Sequence, residues 1–231
     1  MRVAVIENMP GTLHGQIGVA LHEVAAKVDV YRPFQDGRLP NWGDHDALVS
    51  FGGAQNARDD DAHPYLADLA VLMRETALSG RATLGICLGS QVFARGLGAD
   101  NLIGAAPEFG WCTIDLLEAA RDDPLLGALP ARFRSFQWHS DTFTLPQDAV
   151  HLARSDAAPA QAFRIGRAGY ATQFHFEAHR GVVRQWCRMF PDGAEKMYPG
   201  WAGVHTELEA RHAADADAAG LTLARRWVSL I

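Results

Sequence analysis

The sequence predicts an α/β fold: a doubly wound, mostly parallel sheet with a mixed or antiparallel region in its second half. Up to about Gly98, short apolar segments alternate with helix-compatible segments, which is typical of a parallel sheet covered on both faces. After Gly98 most connections between strand candidates are too short for helices, which indicates antiparallel pairing. The 231 residues suffice for one sizeable core, and we expect a single domain over 1–231.

The first half carries four strand candidates and two helix candidates. Apolar runs predict strands over residues 2–7, 28–31, 46–51 and 82–86. A helix is predicted through 20–27, and helical spacing of apolar residues predicts another over 65–78, before a Ser-Gly stop. In such sheets, sites form at the carboxyl ends of the parallel strands.

The second half begins with closely spaced strand candidates and ends in helices. The strand candidates are residues 111–116, 133–138, 150–153, 162–165 and 170–174. From about residue 179 the chain is predicted to be helical, with an Ala-rich stretch over 206–230 and a loop at 197–201.

Net charge and segment length argue against nucleic-acid and membrane partners. A net charge of -6 without an extended basic patch argues against nucleic acid, and no segment approaches the length of a membrane span. The chain starts with a strand-like segment rather than a signal peptide, so we expect a cytoplasmic protein. Three cysteines without paired short spacing suggest neither disulfides nor a thiolate metal site, and no metal or cofactor is expected.

Gly85-Ile-Cys87-Leu-Gly89 has the layout of a nucleophile elbow. A short apolar run ends there and a helix-compatible segment follows at once. Such a tight strand-to-helix turn needs small residues around the nucleophile, and the positive end of the helix dipole favours a thiolate. The alternative is a buried structural cysteine between two glycines, because free cysteines are often buried.

His175 and Glu177 are the candidate partners of that cysteine. Residues two apart on a strand point to the same face, so the carboxylate can orient the imidazole near one strand end. Two alternatives stay open: an ordinary strand end, and a metal site formed by His175, Glu177 and His179.

Gly52 and Gly53 follow the third strand candidate. Glycines there leave main-chain N–H groups free to approach a ligand, and with the N–H of Leu88 they could form an oxyanion hole. A plain turn explains the two glycines equally well.

Together these segments resemble the class I glutamine amidotransferase family, from the first strand to about Arg188. Within that family the chain is similar to free-standing relatives of the GMP synthase amidotransferase domain. The order of the matching segments agrees with the family's, and they are Gly52-Gly53, Gly85-Ile-Cys-Leu-Gly-Ser-Gln91, Glu108-Phe-Gly-Trp111, Gln137-Trp-His-Ser-Asp141 and Gln173-Phe-His-Phe-Glu177.

The resemblance implies a flavodoxin-like sheet and assigns roles to the candidate residues. It makes Cys87, His175 and Glu177 a catalytic triad and gives the oxyanion donors to Gly53 and Leu88. The expected substrate-binding residues are Gly52, Gln91, Ser140 and Asp141. Three positions depart from the commoner family pattern, namely Ala54, Ser90 and Phe176, and the first two are expected to flank the pocket.

The implied activity is cysteine-dependent hydrolysis of the side-chain amide of glutamine through a γ-glutamyl thioester. The implied partners are glutamine or a γ-glutamyl small molecule, with a separate protein as ammonia acceptor. Two alternatives remain: a γ-glutamyl compound hydrolase with the same triad, and a catalytically silent regulatory domain. An α/β-hydrolase fits poorly, because its acid precedes its histidine in the chain.

Overall fold

The computed structural model describes residues 1–231. Its strands, in chain order, are β1 (Arg2–Ile6), β2 (Lys27–Tyr31), β3 (Ala47–Ser50), β4 (Ala82–Ile86), β5 (Asn101–Leu102), β6 (Glu108–Leu116), β7 (Arg132–His139), β8 (Thr142–Phe143), β9 (Val150–Arg154), β10 (Ala162–Ile165) and β11 (Gly169–Thr172). Its helices are α1 (Gly15–Glu23), α2 (Pro33–Asp36), α3 (Tyr65–Leu78), α4 (Leu88–Gly96), α5 (Arg180–Met189), α6 (Pro191–Met197) and α7 (Trp201–Val228).

Nine strands form one sheet in the order β2-β1-β3-β4-β11-β10-β9-β6-β7, and β5 pairs with β8 separately. The strands from β2 to β11 in that order are parallel, whereas the pairs from β11 to β7 are antiparallel. The predicted fold class is therefore confirmed, including the change of pairing in the second half of the chain.

Alternating residues of the parallel strands supply the two faces of the sheet. On β1, Val3 and Val5 pack into a core with α1 and α7, whereas Ala4 and Ile6 pack into a core with α3 and α4. A third, aromatic cluster joins α5, α6 and α7 to β6 and β7. The α5–α6 segment therefore packs beside β7 and lines the same cavity as Trp138, near the end of that strand.

Several element boundaries differ from the prediction. The first helix spans Gly15–Glu23 rather than 20–27, because its apolar side chains Ile17, Ala20 and Leu21 face the core and the chain turns at Ala25, whose φ is 51°. Strand β11 ends at Thr172, two residues earlier than predicted. None of the helices combines the length and the apolar character that a membrane span needs.

Candidate active site

Cys87 lies at the tip of the β4–α4 turn, in the elbow that the sequence predicts. Its φ of 53° and ψ of -111° are strained for a residue with a side chain. The glycines around it are required by close contacts: a Cβ on Gly85 would lie 2.5 Å from the carbonyl oxygen of Gly89, and a Cβ on Gly89 would overlap the carbonyl of Ser50. Small residues thus allow the backbone to fold back beneath the cysteine.

The neighbouring strand brings the second segment of the site to the cysteine. Strands β4 and β11 pair in parallel with Ile86 opposite Thr172, and the N–H of Cys87 donates to the carbonyl of Thr172 at 2.8 Å. The residues that follow β11 therefore begin at the level of Cys87, at the carboxyl edge of the sheet.

His175 and Glu177 form a buried pair on that segment, with exposures of only 6% and 1%. His175 Nδ1 lies 2.7 Å from Glu177 Oε1. The expectation that the two residues share a strand is wrong, because β11 ends at Thr172. Instead, the His175 N–H donates to the Phe136 carbonyl, and the Glu177 carbonyl accepts from the Gln16 N–H at the start of α1. These main-chain bonds orient the pair in place of strand alternation.

The environment of His175 favours its charged form. Burial by itself disfavours an imidazolium, but the Glu177 carboxylate, the nearby Cys87 and the hydrogen bond between His175 and Glu177 outweigh it and raise the pKa of His175 to about 10. The Trp186 ring also packs against the imidazole in a T-shaped arrangement, with 4.9 Å between the ring centroids. Glu177 and Cys87 therefore favour a protonated His175 imidazole near neutral pH.

Gly52 and Gly53 face the cysteine from the end of β3. A Cβ on Gly52 would lie 3.2 Å from His175 Cε1 and 3.9 Å from Cys87 Sγ, so this backbone closely approaches both. The N–H groups of Gly52, Gly53 and Leu88 donate to no main-chain carbonyl. The site therefore has three unoccupied main-chain donors in the segments predicted to form an oxyanion hole.

A polar edge of the same site is formed by Gln91, Ser140 and Asp141. Gln91 Nε2 donates to the carbonyl of Asp141 at 3.2 Å, and His139 Nδ1 lies 2.9 Å from the same oxygen. The Asp141 carboxylate accepts from the Gly104 N–H at 2.8 Å. All the residues predicted to bind substrate therefore line one cavity together with the proposed triad.

Sequence reasoning missed the buried network behind this edge. Glu108 Oε2 lies 3.2 Å from His139 Nε2 and accepts from Ser155 Oγ at 2.8 Å and from Gln161 Nε2 at 2.5 Å. Glutamines 137, 161 and 173 are fully buried. The available signal was that Gln161 directly precedes, and Gln173 directly follows, a short strand, whereas Gln137 lies between two aromatic residues of a third.

Ser90 and His179 have other roles than those considered for them. Ser90 is fully buried, does not line the cavity, and donates its hydroxyl to the carbonyl of Cys87 at 2.6 Å. His179 Nδ1 accepts from the Gly181 N–H and caps α5, and the chain contains no cluster of three side chains arranged to hold a metal ion. The expectation that Ser90 flanks the pocket is therefore wrong, whereas Ala54 does line it.

The cavity over Cys87 has a volume of about 550 Å³ and a largely apolar wall. The loop after β1 and the α5–α6 segment line part of it. The apolar side chains that they contribute are Met9, Leu13, Trp186, Phe190 and Met197. Sequence reasoning assigned the tryptophans to packing and did not predict this wall.

Fold and site together define an α/β protein with a cysteine, a histidine and a glutamate at the carboxyl edge of a parallel sheet. The family model for glutamine amidotransferase class-I matches residues 11–186. The chain belongs to the class I glutamine amidotransferase family.

Relatives and solved structures agree with this family. The glutamine amidotransferase-like protein YfeJ of Salmonella typhimurium is 34% identical over 69% of this chain and 70% of its own length. One subunit of the glutamine-hydrolysing GMP synthase of Archaeoglobus fulgidus is 27% identical over 78% of this chain and 90% of its own length. The crystal structure of a glutamine amidotransferase from Thermotoga maritima superposes with a TM-score of 0.84 at 26% identity, covering 98% of this chain and 97% of that one.

Proposed function

We propose that the protein hydrolyses the side-chain amide of glutamine through a γ-glutamyl thioester on Cys87. The observation that carries the proposal is the buried His175–Glu177 pair, 2.7 Å apart, in the same cavity as a cysteine at the tip of a strand-to-helix turn. A nucleophile, a proton donor and a carboxylate that orients that donor are the parts that acyl transfer requires. Membership of the family supports the same chemistry.

The amino-acid end of glutamine binds at the polar edge. Gln91 and the backbone at Ser140 and Asp141 line the cavity there, and the bonds from Gln91 and His139 to the Asp141 carbonyl fix that backbone. Binding the amino acid at this edge leaves its carboxamide next to Cys87. The fixed distance between the edge and the cysteine then selects a side chain of the length of glutamine.

In the first chemical step, the Cys87 thiolate attacks the carboxamide carbon. The oxyanion is stabilised by N–H groups of Gly53 and Leu88, which donate to no main-chain carbonyl. Protonated His175 gives its proton to the departing nitrogen, the C–N bond breaks, and ammonia leaves. The raised pKa of His175 keeps this acid charged at neutral pH.

In the second step, neutral His175 takes a proton from water as the water attacks the thioester. The C–S bond breaks, glutamate leaves, and the site returns to its thiolate and imidazolium form. Glu177 stabilises the imidazolium throughout and does not take the proton itself. A cysteine that works in this way must stay reduced, which favours the cytoplasm.

The ammonia acceptor is proposed to be a separate protein. The Archaeoglobus fulgidus relative is named as one subunit of GMP synthase, and the present chain is similar to nearly all of it. A partner that accepts ammonia would be expected to raise glutaminase activity when it is added. Hydrolysis of another γ-glutamyl compound uses the same triad and needs no partner, and the size of the cavity favours it as the second candidate.

The test measures glutamate and ammonia release from glutamine by the wild type, Cys87→Ala and the control Cys112→Ala. The control removes a partly buried thiol outside the cavity whose one hydrogen bond is to the Phe109 carbonyl. We expect Cys87→Ala to lose release while keeping its fold, and Cys112→Ala to keep both. Release by Cys87→Ala at the wild-type rate would remove this cysteine from the mechanism, and a folded wild type without any release would favour a silent domain.

A further inference from the structure

The cavity is larger than glutamine requires. Its volume of about 550 Å³ falls in the range of roughly 300–1,000 Å³ that accommodates drug-sized ligands. Glutamine has only about ten heavy atoms, and the polar edge already takes its amino-acid end. The cavity therefore has room for a leaving group larger than ammonia.

Aromatic side chains line the cavity next to His175, which protonates the leaving group in the proposed mechanism. The ring of Trp186 meets the His175 imidazole at 4.9 Å, and it packs edge-on against Trp138 at 6.4 Å. Trp138 in turn meets the ring of Phe190 at 6.5 Å. An apolar side chain attached to the departing nitrogen would therefore contact a continuous aromatic surface next to His175.

One cation lines the same cavity without a carboxylate partner. Lys196, on α6, takes part in none of the ion pairs of the protein. The adjacent Glu195 instead accepts from the N–H groups of Gly200 and Trp201. A carboxylate on the leaving group would thus find an unpaired positive charge in the lining of the cavity.

We propose that the same site also hydrolyses, in preference to glutamine, a γ-glutamyl amino acid whose leaving group carries a large apolar or aromatic side chain and a free α-carboxylate. The side chain packs against Trp138, Trp186 and Phe190, and the carboxylate pairs with Lys196. This inference rests on the proposed function of the site, because it assigns the same thioester chemistry to a different leaving group.

The reaction keeps the atom balance of amide hydrolysis. Cys87 Sγ forms a bond to the γ-carbonyl carbon, the C–N bond breaks, and the His175 proton goes to the nitrogen of the released amino acid. Water then cleaves the thioester, so that the products are glutamate and the free amino acid, with no further reactant.

The test compares kcat/KM for glutamine, γ-glutamyl-alanine, γ-glutamyl-phenylalanine and the α-amide of γ-glutamyl-phenylalanine. Burial of the phenyl ring should favour γ-glutamyl-phenylalanine over γ-glutamyl-alanine by roughly tenfold or more. The partly exposed ion pair should favour the free acid over its α-amide by about two- to fivefold. Lys196→Met should lower the ratio of acid to α-amide toward one, whereas Lys27→Met, which removes the chain's other lysine, should leave that ratio unchanged.

The outcomes separate this inference from the proposed function. Cysteine-dependent turnover of glutamine or γ-glutamyl-alanine, without preference for the phenylalanine compound, would overturn the inference and leave the proposed function in place. A phenyl preference with equal rates for acid and α-amide would overturn the role of Lys196. No Cys87-dependent release from any of the four compounds would overturn the proposed function, and the inference with it.

Discussion

Replacement of Gly52 by alanine tests the geometry of the site without removing any chemical group. The backbone of Gly52 lies outside the positive-φ region, so alanine introduces no backbone strain there. Its methyl group would lie 3.2 Å from His175 Cε1, 3.5 Å from Cys87 Cβ and 3.9 Å from Cys87 Sγ. We therefore expect a folded protein with a disturbed relation between the histidine and the cysteine.

The size of the effect follows from the contact with the imidazole. To accommodate a methyl carbon at 3.2 Å, the His175 ring must shift by a few tenths of an ångström. The ring is also in contact with Glu177 and Trp186, which resist this shift. Displacements of about 1 Å cost roughly 100-fold in rate, so this smaller one should lower kcat/KM by about tenfold. The loss corresponds to about 1.4 kcal/mol of transition-state stabilisation.

The assay is cysteine-dependent glutamate release, with urea unfolding as the measure of stability. Gly203→Ala is the matched control, since a Cβ there meets nothing within 4 Å and the residue lies in α7, where alanine favours the helix. We expect Gly203→Ala to retain wild-type activity. Wild-type kcat/KM in Gly52→Ala would refute the view that this backbone approaches the reacting groups.

Three further substitutions test the residues that position the groups of the site. Glu177→Gln removes the charge that raises the pKa of His175, so the imidazolium should lose its proton at lower pH. The alkaline limit of kcat should therefore move to lower pH, and an unchanged pH profile would contradict this role. Gly15→Ala places a side chain at a φ of 47°, where its Cβ would overlap the Glu177 carbonyl, and should lower the free energy of unfolding in urea by at least about 1–2 kcal/mol. Gly37→Ala, at a positive φ but with open space around the Cβ, should have a smaller effect. Glu108→Gln should lower the free energy of unfolding by about 1–3 kcal/mol, because Glu108 accepts hydrogen bonds from the buried Ser155 and Gln161. It should also raise KM for glutamine more than it lowers kcat, because Glu108 lies beside His139 at the substrate-binding edge. A fall in kcat with an unchanged KM would oppose this assignment.

The sequence was informative where local spacing determines structure. Residues 82–91 predicted both the strand and the turn at Cys87, because glycines at 85 and 89 leave few alternatives to a tight elbow. Strand 162–165 and helix 65–78 were also predicted with their observed bounds. Hydrophobic periodicity carries this information directly.

The sequence was less informative where long-range contacts determine structure. The pairing of His175 with Glu177 was expected from strand alternation, but it arises from main-chain bonds to Phe136 and to the start of α1. The α5–α6 wall of the cavity could not be predicted, because its position depends on packing of the last helices against β6 and β7. Local patterns do not encode which face of a helix meets a distant strand.

The most direct test of the central claim is intact-mass analysis of the protein after acid quenching during turnover of glutamine or γ-glutamyl-phenylalanine. We predict a covalent glutamyl adduct that peptide mapping assigns to Cys87, that is absent from Cys87→Ala, and that is retained in Cys112→Ala. An adduct on another residue, or glutamate release by Cys87→Ala at the wild-type rate, would contradict a thioester on Cys87.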